Sequence, residues 1–218
     1  MCGRYTLTKS KETLIEQFLI DEFPEEFDRS FNVAPSQSVL ALAGINNKRR
    51  AGYLKWGLIP HWVKEGKQWR PIINARAEKL EEKASFRGLV EKKRIILLAD
   101  GFYEWGMHEG KKQPFRFIAK NQSLFAFAAL WDKNGGQSTC TIITTGANEE
   151  VSSIHDRMPV IFLGEDQISK WLSEEPYENV KSLLKPLPDD EMTIYPVSSM
   201  VNSPKNNNES CIEKIALS

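Results

Sequence analysis

The sequence predicts a single β-rich domain of the α+β class over residues 1–218, and three observations carry that reading. Strand-length segments, alternating or wholly apolar, recur from residue 4 to residue 197 between Asn, Gly and Pro turn signals. Helical patterns between them are few and short. With 41% hydrophobic and 27% charged residues, the chain can bury one good core, or at most two small ones, and no repeat or long linker divides it.

In chain order, residues 4–7 read as a first strand. Residues 10–20 read as a helix with Leu14, Ile15, Phe18 and Leu19 on one face and Lys11, Glu12 and Glu16 opposite. Residues 21–30 are acidic and irregular around Pro24. Strands 38–43 and 50–56 then make a hairpin about Asn46-Asn47. From Glu78 a Lys- and Glu-rich helical stretch is expected, its charges a solvated face, followed by a short helix through Phe86, Leu89 and Val90. Residues 94–99 are a nearly continuous apolar run, hence a buried strand, emptying into Asp100-Gly101-Phe102-Tyr103-Glu104-Trp105. A hairpin of 114–119 and 124–131 follows, and Asn134-Gly135-Gly136 turns into strand 139–145. Beyond an apolar strand after Pro159, helices at 166–173 and 177–184 precede a last strand near 192–197. The polar tail 203–210 is expected to be loosely ordered unless Cys211 and Ile212 pin it.

Composition removes several function classes. Lys+Arg and Asp+Glu balance at 29 each, which argues against a broad basic surface for duplex DNA or membranes but not against a short local groove. Three cysteines, without a secretory leader, point away from a disulfide framework and towards a reducing compartment. No run of about 18 apolar residues exists to span a membrane. His61, His108 and His155 are scattered and no cysteine pair has zinc spacing. Walker and dinucleotide glycine patterns are missing too, so neither metal nor cofactor is expected.

The chemistry concentrates at the start. Once Met1 is removed, Cys2 carries an α-amine and a thiol on adjacent carbons. The amine condenses with an aldehyde to an imine, and the sulfur closes a five-membered thiazolidine. At an unperturbed pKa of about 7.7–8.0, a good part of that amine is unprotonated near neutral pH, and the thiol is intrinsically nucleophilic. The plain alternative is a buried, inert cysteine opening the first strand. Similar pairs of readings hold elsewhere. Four of the six tryptophans fall between positions 56 and 105, as core or as a platform for stacked bases. Asn74 and Arg76 point to one side if extended. Glu104, between aromatics beyond a buried strand, is either an acid–base group or an ion-pair partner. Cys140 reads as core, and His155 beside Arg157 is a better catalytic candidate than a lone histidine.

The segments Met1-Cys2-Gly3-Arg4-Tyr5, Asn32-Val33-Ala34-Pro35, Trp56-Gly57-Leu58-Ile59-Pro60 and Asn74-Ala75-Arg76-Ala77-Glu78 occur in that order. Gly101-Phe102-Tyr103-Glu104-Trp105, His155-Asp156-Arg157-Met158-Pro159 and Val201-Asn202 come after them. Together they closely resemble the SOS-response-associated peptidase (SRAP) family, the abasic-site-shielding proteins, over essentially the whole chain. The resemblance implies a β-rich α+β domain with a distorted barrel-like antiparallel sheet, peripheral helices and a DNA groove leading to the N-terminus. It implies that Cys2, freed of Met1, captures the aldehyde of an abasic site in single-stranded DNA as a thiazolidine cross-link. Asn74 would hold the deoxyribose and the N-terminus, Glu104 would act as acid–base, and His155 would assist proton transfer, including reversal. Arg4, Arg76 and Arg157 would clamp phosphates and Trp105 would stack near the lesion. Lyase action, peptidase removal of Met1, a monomeric state and a cytoplasmic, nucleoid-associated location complete the expectation. Three rivals stand beside it: an N-terminal-nucleophile glutamine amidohydrolase, a plain cysteine peptidase on Cys2 and His155, and a non-covalent single-strand binder.

Overall fold

The computed structural model describes residues 2–64 and 66–217. Strand β1 (Tyr5–Leu7) leads into helix α1 (Lys11–Phe18). Ser10 caps α1 by accepting the Thr13 N–H at 3.3 Å, and Leu14 and Phe18 enter the core. β2 (Ser30–Val33) lies partly within the stretch expected to be irregular; it forms because Val33 and Ser30 pair with Tyr5 and Leu7 of β1. β3 (Ser38–Ile45) and β4 (Lys48–Trp56) are longer than predicted. Their ladder runs to Ile45 and Lys48, closed by Asn46 and Asn47 at φ 52° and 57°, the two left-handed positions of a type I′ turn.

After β5 (Asn74–Arg76), the expected Lys/Glu helix is replaced by a single 3-10 turn, Ala77–Lys79, while the short helix expected through Phe86, Leu89 and Val90 is present as α2 (Leu89–Lys92), which leaves out Phe86. Leu80 and Phe86 are both buried, and six residues apart they would stand about 120° apart on a helix, so one continuous helix could not bury both well. β6 (Arg94–Ala99), β7 (Gly101–His108), β8 (Lys111–Ala119), β9 (Phe125–Asn134) and β10 (Gln137–Gly146) come next. Then come α3 (Glu149–Ser152), β11 (Arg157–Pro159), β12 (Ile161–Phe162), α4 (Glu165–Leu172), α5 (Tyr177–Val180) and β13 (Met192–Pro196).

The strands make two sheets. One runs β13-β8-β7-β1-β2. In the other, β10-β4-β3-β6-β9 closes on itself, because β10 pairs with both β4 and β9. The result is a ring-like sheet, antiparallel except where β10 runs parallel to β4 and to β5. Both faces of the ring are buried. Ile95, Leu97 and Ala99 of β6, with Phe125, Phe127 and Ala129 of β9, pack against Cys2, Tyr5, Trp56, Phe102 and Phe117 between the sheets. Their alternates Ile96, Leu98, Ala126, Ala128 and Leu130 pack outward on Leu14, Phe18 and Trp171 of the helices. Each such fully buried large side chain contributes about 1.5–3 kcal/mol.

Asp100 is the corner where the chain passes from β6 to β7. Its carboxylate accepts Thr6 Oγ1 (2.5 Å), Thr8 N–H (2.5 Å) and Arg116 Nη2 (3.3 Å), pinning β1 to the second sheet. The segment 203–210 is anchored, as the burial of Cys211 allows: Asn32 donates to the carbonyls of Ser203 and Asn206, and Asn207 Oδ1 accepts the Phe31 N–H at 2.7 Å.

Candidate active site

Cys2 is fully buried in the layer between the sheets. Burial pushes its thiol well above the ordinary thiol range, and the nearby Glu104 carboxylate pushes it the same way. The sulfur is therefore held as S–H at neutral pH. The expected removal of Met1 concerns a residue outside those described.

Asn74 and Arg76 sit on β5, opposite Ile142 and Thr144 of β10, with Ala75 between them facing the core. Strand alternation thus puts both polar side chains on the other face, as the spacing predicts. Asn74 Nδ2 donates to the Cys2 carbonyl at 2.9 Å. Its Oδ1 is buried and has no hydrogen-bond partner among the described residues.

Glu104 lies just past the buried β6, inside β7 and opposite Phe115 of β8. The apolar run ends at Asp100, where the chain enters a second strand belonging to the other sheet. Along β7, Phe102 faces the layer that holds Cys2, whereas Tyr103 and Trp105 face a small cluster with Val197 and Val201. Alternation puts Glu104 with Phe102. Glu104 is 3% exposed, and burial raises its carboxyl pKa, with the electrostatic pull of His155 acting against that rise.

His155 stands between α3 and β11. Its Nδ1 accepts the Arg157 backbone N–H at 3.0 Å, so the neutral ring carries its proton on Nε2. Asp156 Oδ1 lies 2.9 Å from the same nitrogen, but its side chain is 83% exposed, so water competes for it, whereas the backbone donor is fixed. The backbone decides the tautomer.

The arginines differ. Arg157 makes a two-pronged contact with Glu78, at 2.8 and 3.0 Å, and donates to Thr144 O at 2.8 Å. Those bonds hold the Glu78 carboxyl below its usual range, so Glu78 is more than part of a solvated face. Arg4 Nη1 donates to Asn32 Oδ1 (2.8 Å) and Val201 O (2.5 Å), and its guanidinium lies 5.8 Å from the Trp105 ring centroid. Arg76 is exposed and makes no side-chain hydrogen bond or ion pair among the described residues. The structure thus gathers Cys2, Asn74, Glu104 and His155 at one place, with Arg76 on β5 beside Asn74 and Arg157 next to His155 in sequence, whereas Arg4 and Trp105 turn to the segment around Val201.

Trp56 is wholly buried and donates Nε1–H to Ile73 O at 2.9 Å, so it is core and not a base platform. Trp62, 47% exposed, meets Trp69 edge-on at 5.2 Å. Gly57, at φ 132°, starts the loop to β5; a Cβ there would lie 2.8 Å from Pro71. Sequence reasoning gives no role to Asn32 or Asn202. The only signal is their presence in the motifs, since their partners lie at distant positions.

Similarity to known proteins shows the family and the fold. The family model described as SOS response associated peptidase (SRAP) matches residues 1–204. The chain is 48% identical, over 98% of its length and 99% of the relative's, to the abasic site processing protein YoqW of Bacillus subtilis. It is 36% identical to the abasic site processing protein HMCES of Gallus gallus, over 75% of this chain and 57% of that one. A crystal structure of a protein from Bacteroides thetaiotaomicron, 24% identical, superposes with a TM-score of 0.86 over 99% of this chain and all of that one, which shows the shared fold. Motif order, fold and full-length relatives converge: this chain belongs to the SOS response associated peptidase (SRAP) family.

Proposed function

We propose that the protein processes abasic sites in single-stranded DNA by capturing the ring-opened sugar aldehyde on Cys2 and shielding the lesion as a thiazolidine cross-link. The observation that carries the reading is Cys2 held through its carbonyl by Asn74, with the buried Glu104, whose carboxyl pKa burial raises, close by. The names of the relatives, abasic site processing proteins, support the same substrate.

The order of steps follows from the protonation states. Removal of Met1 frees the Cys2 amine. Burial disfavours the thiolate, so the amine attacks the aldehyde carbon first. Glu104 gives a proton to the departing water, leaving an imine. The sulfur then adds to the imine carbon and its proton ends on the nitrogen, which closes the ring. Asn74 Oδ1, without a partner among the described residues, accepts a hydroxyl of the opened deoxyribose. His155, whose neutral ring carries its proton on Nε2, moves protons in capture and reversal. An imine that fails to close leads instead to β-elimination, a lyase outcome. A monomer acting in the cytoplasm on nucleoid DNA fits this reading.

Intact mass tests it most directly. The active protein is expected to be lighter than the encoded chain by one methionine, and to gain the mass of an abasic oligonucleotide minus water. A chain that keeps Met1 and cross-links at full rate would remove the thiazolidine mechanism. Glutamine hydrolysis or turnover of foreign peptides would favour the rival readings.

For the grip on DNA, Arg76 has its whole fork open, Arg157 shares its fork with Glu78, and Arg4 has Nη1 tied to Asn32 and Val201 while its Nη2 makes, among the described residues, only a long, exposed contact with Asn202 O at 3.4 Å. Arg76→Ala is expected to weaken single-strand binding and to reduce the log–log salt slope by roughly 0.7, the value of one phosphate contact on a single strand. Fluorescence anisotropy across a salt series reads both; an unchanged slope would place the strand away from β5.

A further inference from the structure

We propose that Asn32 and the C-terminal turn it clasps, residues 198–207, form a positioning element that holds Arg4 and Trp105 for the DNA strand. The element governs grip on the strand and not the chemistry at Cys2. This rests on the DNA reading given above, and the family match, which ends at residue 204, gives no part to the residues beyond it.

Asn32 on β2 is 1% exposed and uses both ends of its amide. Nδ2 donates to Val201 O (3.2 Å), Ser203 O (3.0 Å) and Asn206 O (2.7 Å), and Oδ1 accepts Arg4 Nη1 at 2.8 Å. The same Nη1 reaches Val201 O, so one guanidinium nitrogen ties β1 to the turn. Asn202, exposed on that turn, accepts Trp105 Nε1–H through Oδ1 at 2.7 Å, and the Arg4 guanidinium stands 5.8 Å from the Trp105 ring centroid. Arg4, Trp105, Asn202, Val201 and Asn32 therefore form one closed set of contacts. Asn206 and Asn207 brace it from behind: Asn206 Nδ2 donates to Met200 O at 2.7 Å and Asn207 accepts the Phe31 N–H.

The consequence is preorganisation. An arginine and a tryptophan already fixed in the free protein lose little rotamer freedom when a strand arrives, so the affinity lost on release is larger than any contact the asparagines themselves make. None of these bonds reaches Asn74, Glu104 or His155, so the rate at a captured lesion is set elsewhere. A clasp that served folding alone would lower the thermal midpoint without separating binding from reaction rate.

The test uses full-length protein with Asn202→Ala and Asn32→Ser. Binding of a fluorescein-labelled single-stranded oligonucleotide without a lesion is measured by anisotropy, and cross-linking of the same oligonucleotide with one abasic site is measured over a concentration series. Asn202→Ala is expected to weaken binding by about fivefold and Asn32→Ser by about tenfold or more, the scale of one to two hydrogen bonds. The half-saturating concentration for cross-linking should rise by the same factors, while the saturated rate falls much less. Should Asn32→Ser fail to fold, Asn202→Ala, at an exposed position, decides alone. Unchanged binding in the folded variants, or a lower saturated rate at unchanged binding, overturns the proposal. Wild-type protein that binds the intact strand but does not cross-link the abasic one would sink the Cys2 chemistry and leave this test valid.

Discussion

Cys2→Ser, with Met1 still removed, is expected to lose the heat-stable cross-link by more than about hundredfold while gaining an adduct that borohydride can trap. The amine survives this change and still attacks the aldehyde with Glu104 beside it. What is lost is the group that closes the ring. An imine left open acidifies the neighbouring C–H, so the strand is cut by β-elimination; a thiazolidine, saturated at that carbon, resists. The substitution is nearly isosteric, but it puts a hydroxyl into an apolar layer where Cys2 is fully buried. An unsatisfied buried hydroxyl costs about 1–3 kcal/mol, less than the roughly 5–15 kcal/mol typical of a folded domain, so the variant should fold with a lower thermal midpoint. Denaturing gels with and without borohydride separate the outcomes. If Cys2→Ser gives the wild-type heat-stable product, sulfur is not in the bond and the proposed chemistry is wrong.

Sequence patterns are most legible where the structure is local. The apolar run of β6 has to be buried on both faces, and it is. Asn74 and Arg76 flank an apolar Ala75, and the alternation of β5 carries them to one side. Asn46-Asn47 marks the hairpin because few other pairs tolerate two positive φ angles. Several features that escape the sequence depend on a partner distant along the chain, and the expected 114–119/124–131 hairpin fails because β8 and β9 enter different sheets. β2 is a strand because β1 is there to pair with it, and the β4–β10 contact that closes the ring is parallel, leaving no turn between them to announce it. The aromatic segment around Glu104 has strand propensity, and its pairing with the adjacent β8 places Glu104 inside a strand. Arg4 looks open to phosphate in the sequence, but Val201 and Asn32 engage it, the former across almost the whole chain. The proposed site is readable as a set of motifs; which arginine remains open is not.

Glu104→Gln is expected to slow capture by about hundredfold or more, the usual worth of a positioned proton donor. Gln keeps the shape and can hydrogen-bond, but it has no acidic proton to give the departing water. The effect carries a pH signature. The rate should rise as the Cys2 amine deprotonates, at an unperturbed pKa of about 7.7–8.0, and wild type should lose rate as Glu104 gives up its proton, a loss that the Gln variant lacks. Stability supplies an independent reading. Burial raises the Glu104 carboxyl pKa in the native state above its unfolded value, so between those two values the folded protein binds more protons than the unfolded one. Its stability therefore falls as pH rises through that window, starting at about 4.3 for an exposed Glu. Gln does not titrate, so the thermal midpoint of Glu104→Gln should decline less than that of wild type from about pH 4 towards neutrality. Single-turnover cross-linking and thermal melts over one pH series measure both. A variant that keeps the wild-type rate shows that Glu104 is not the proton donor, and parallel melting curves show that its carboxyl is not held protonated by the fold.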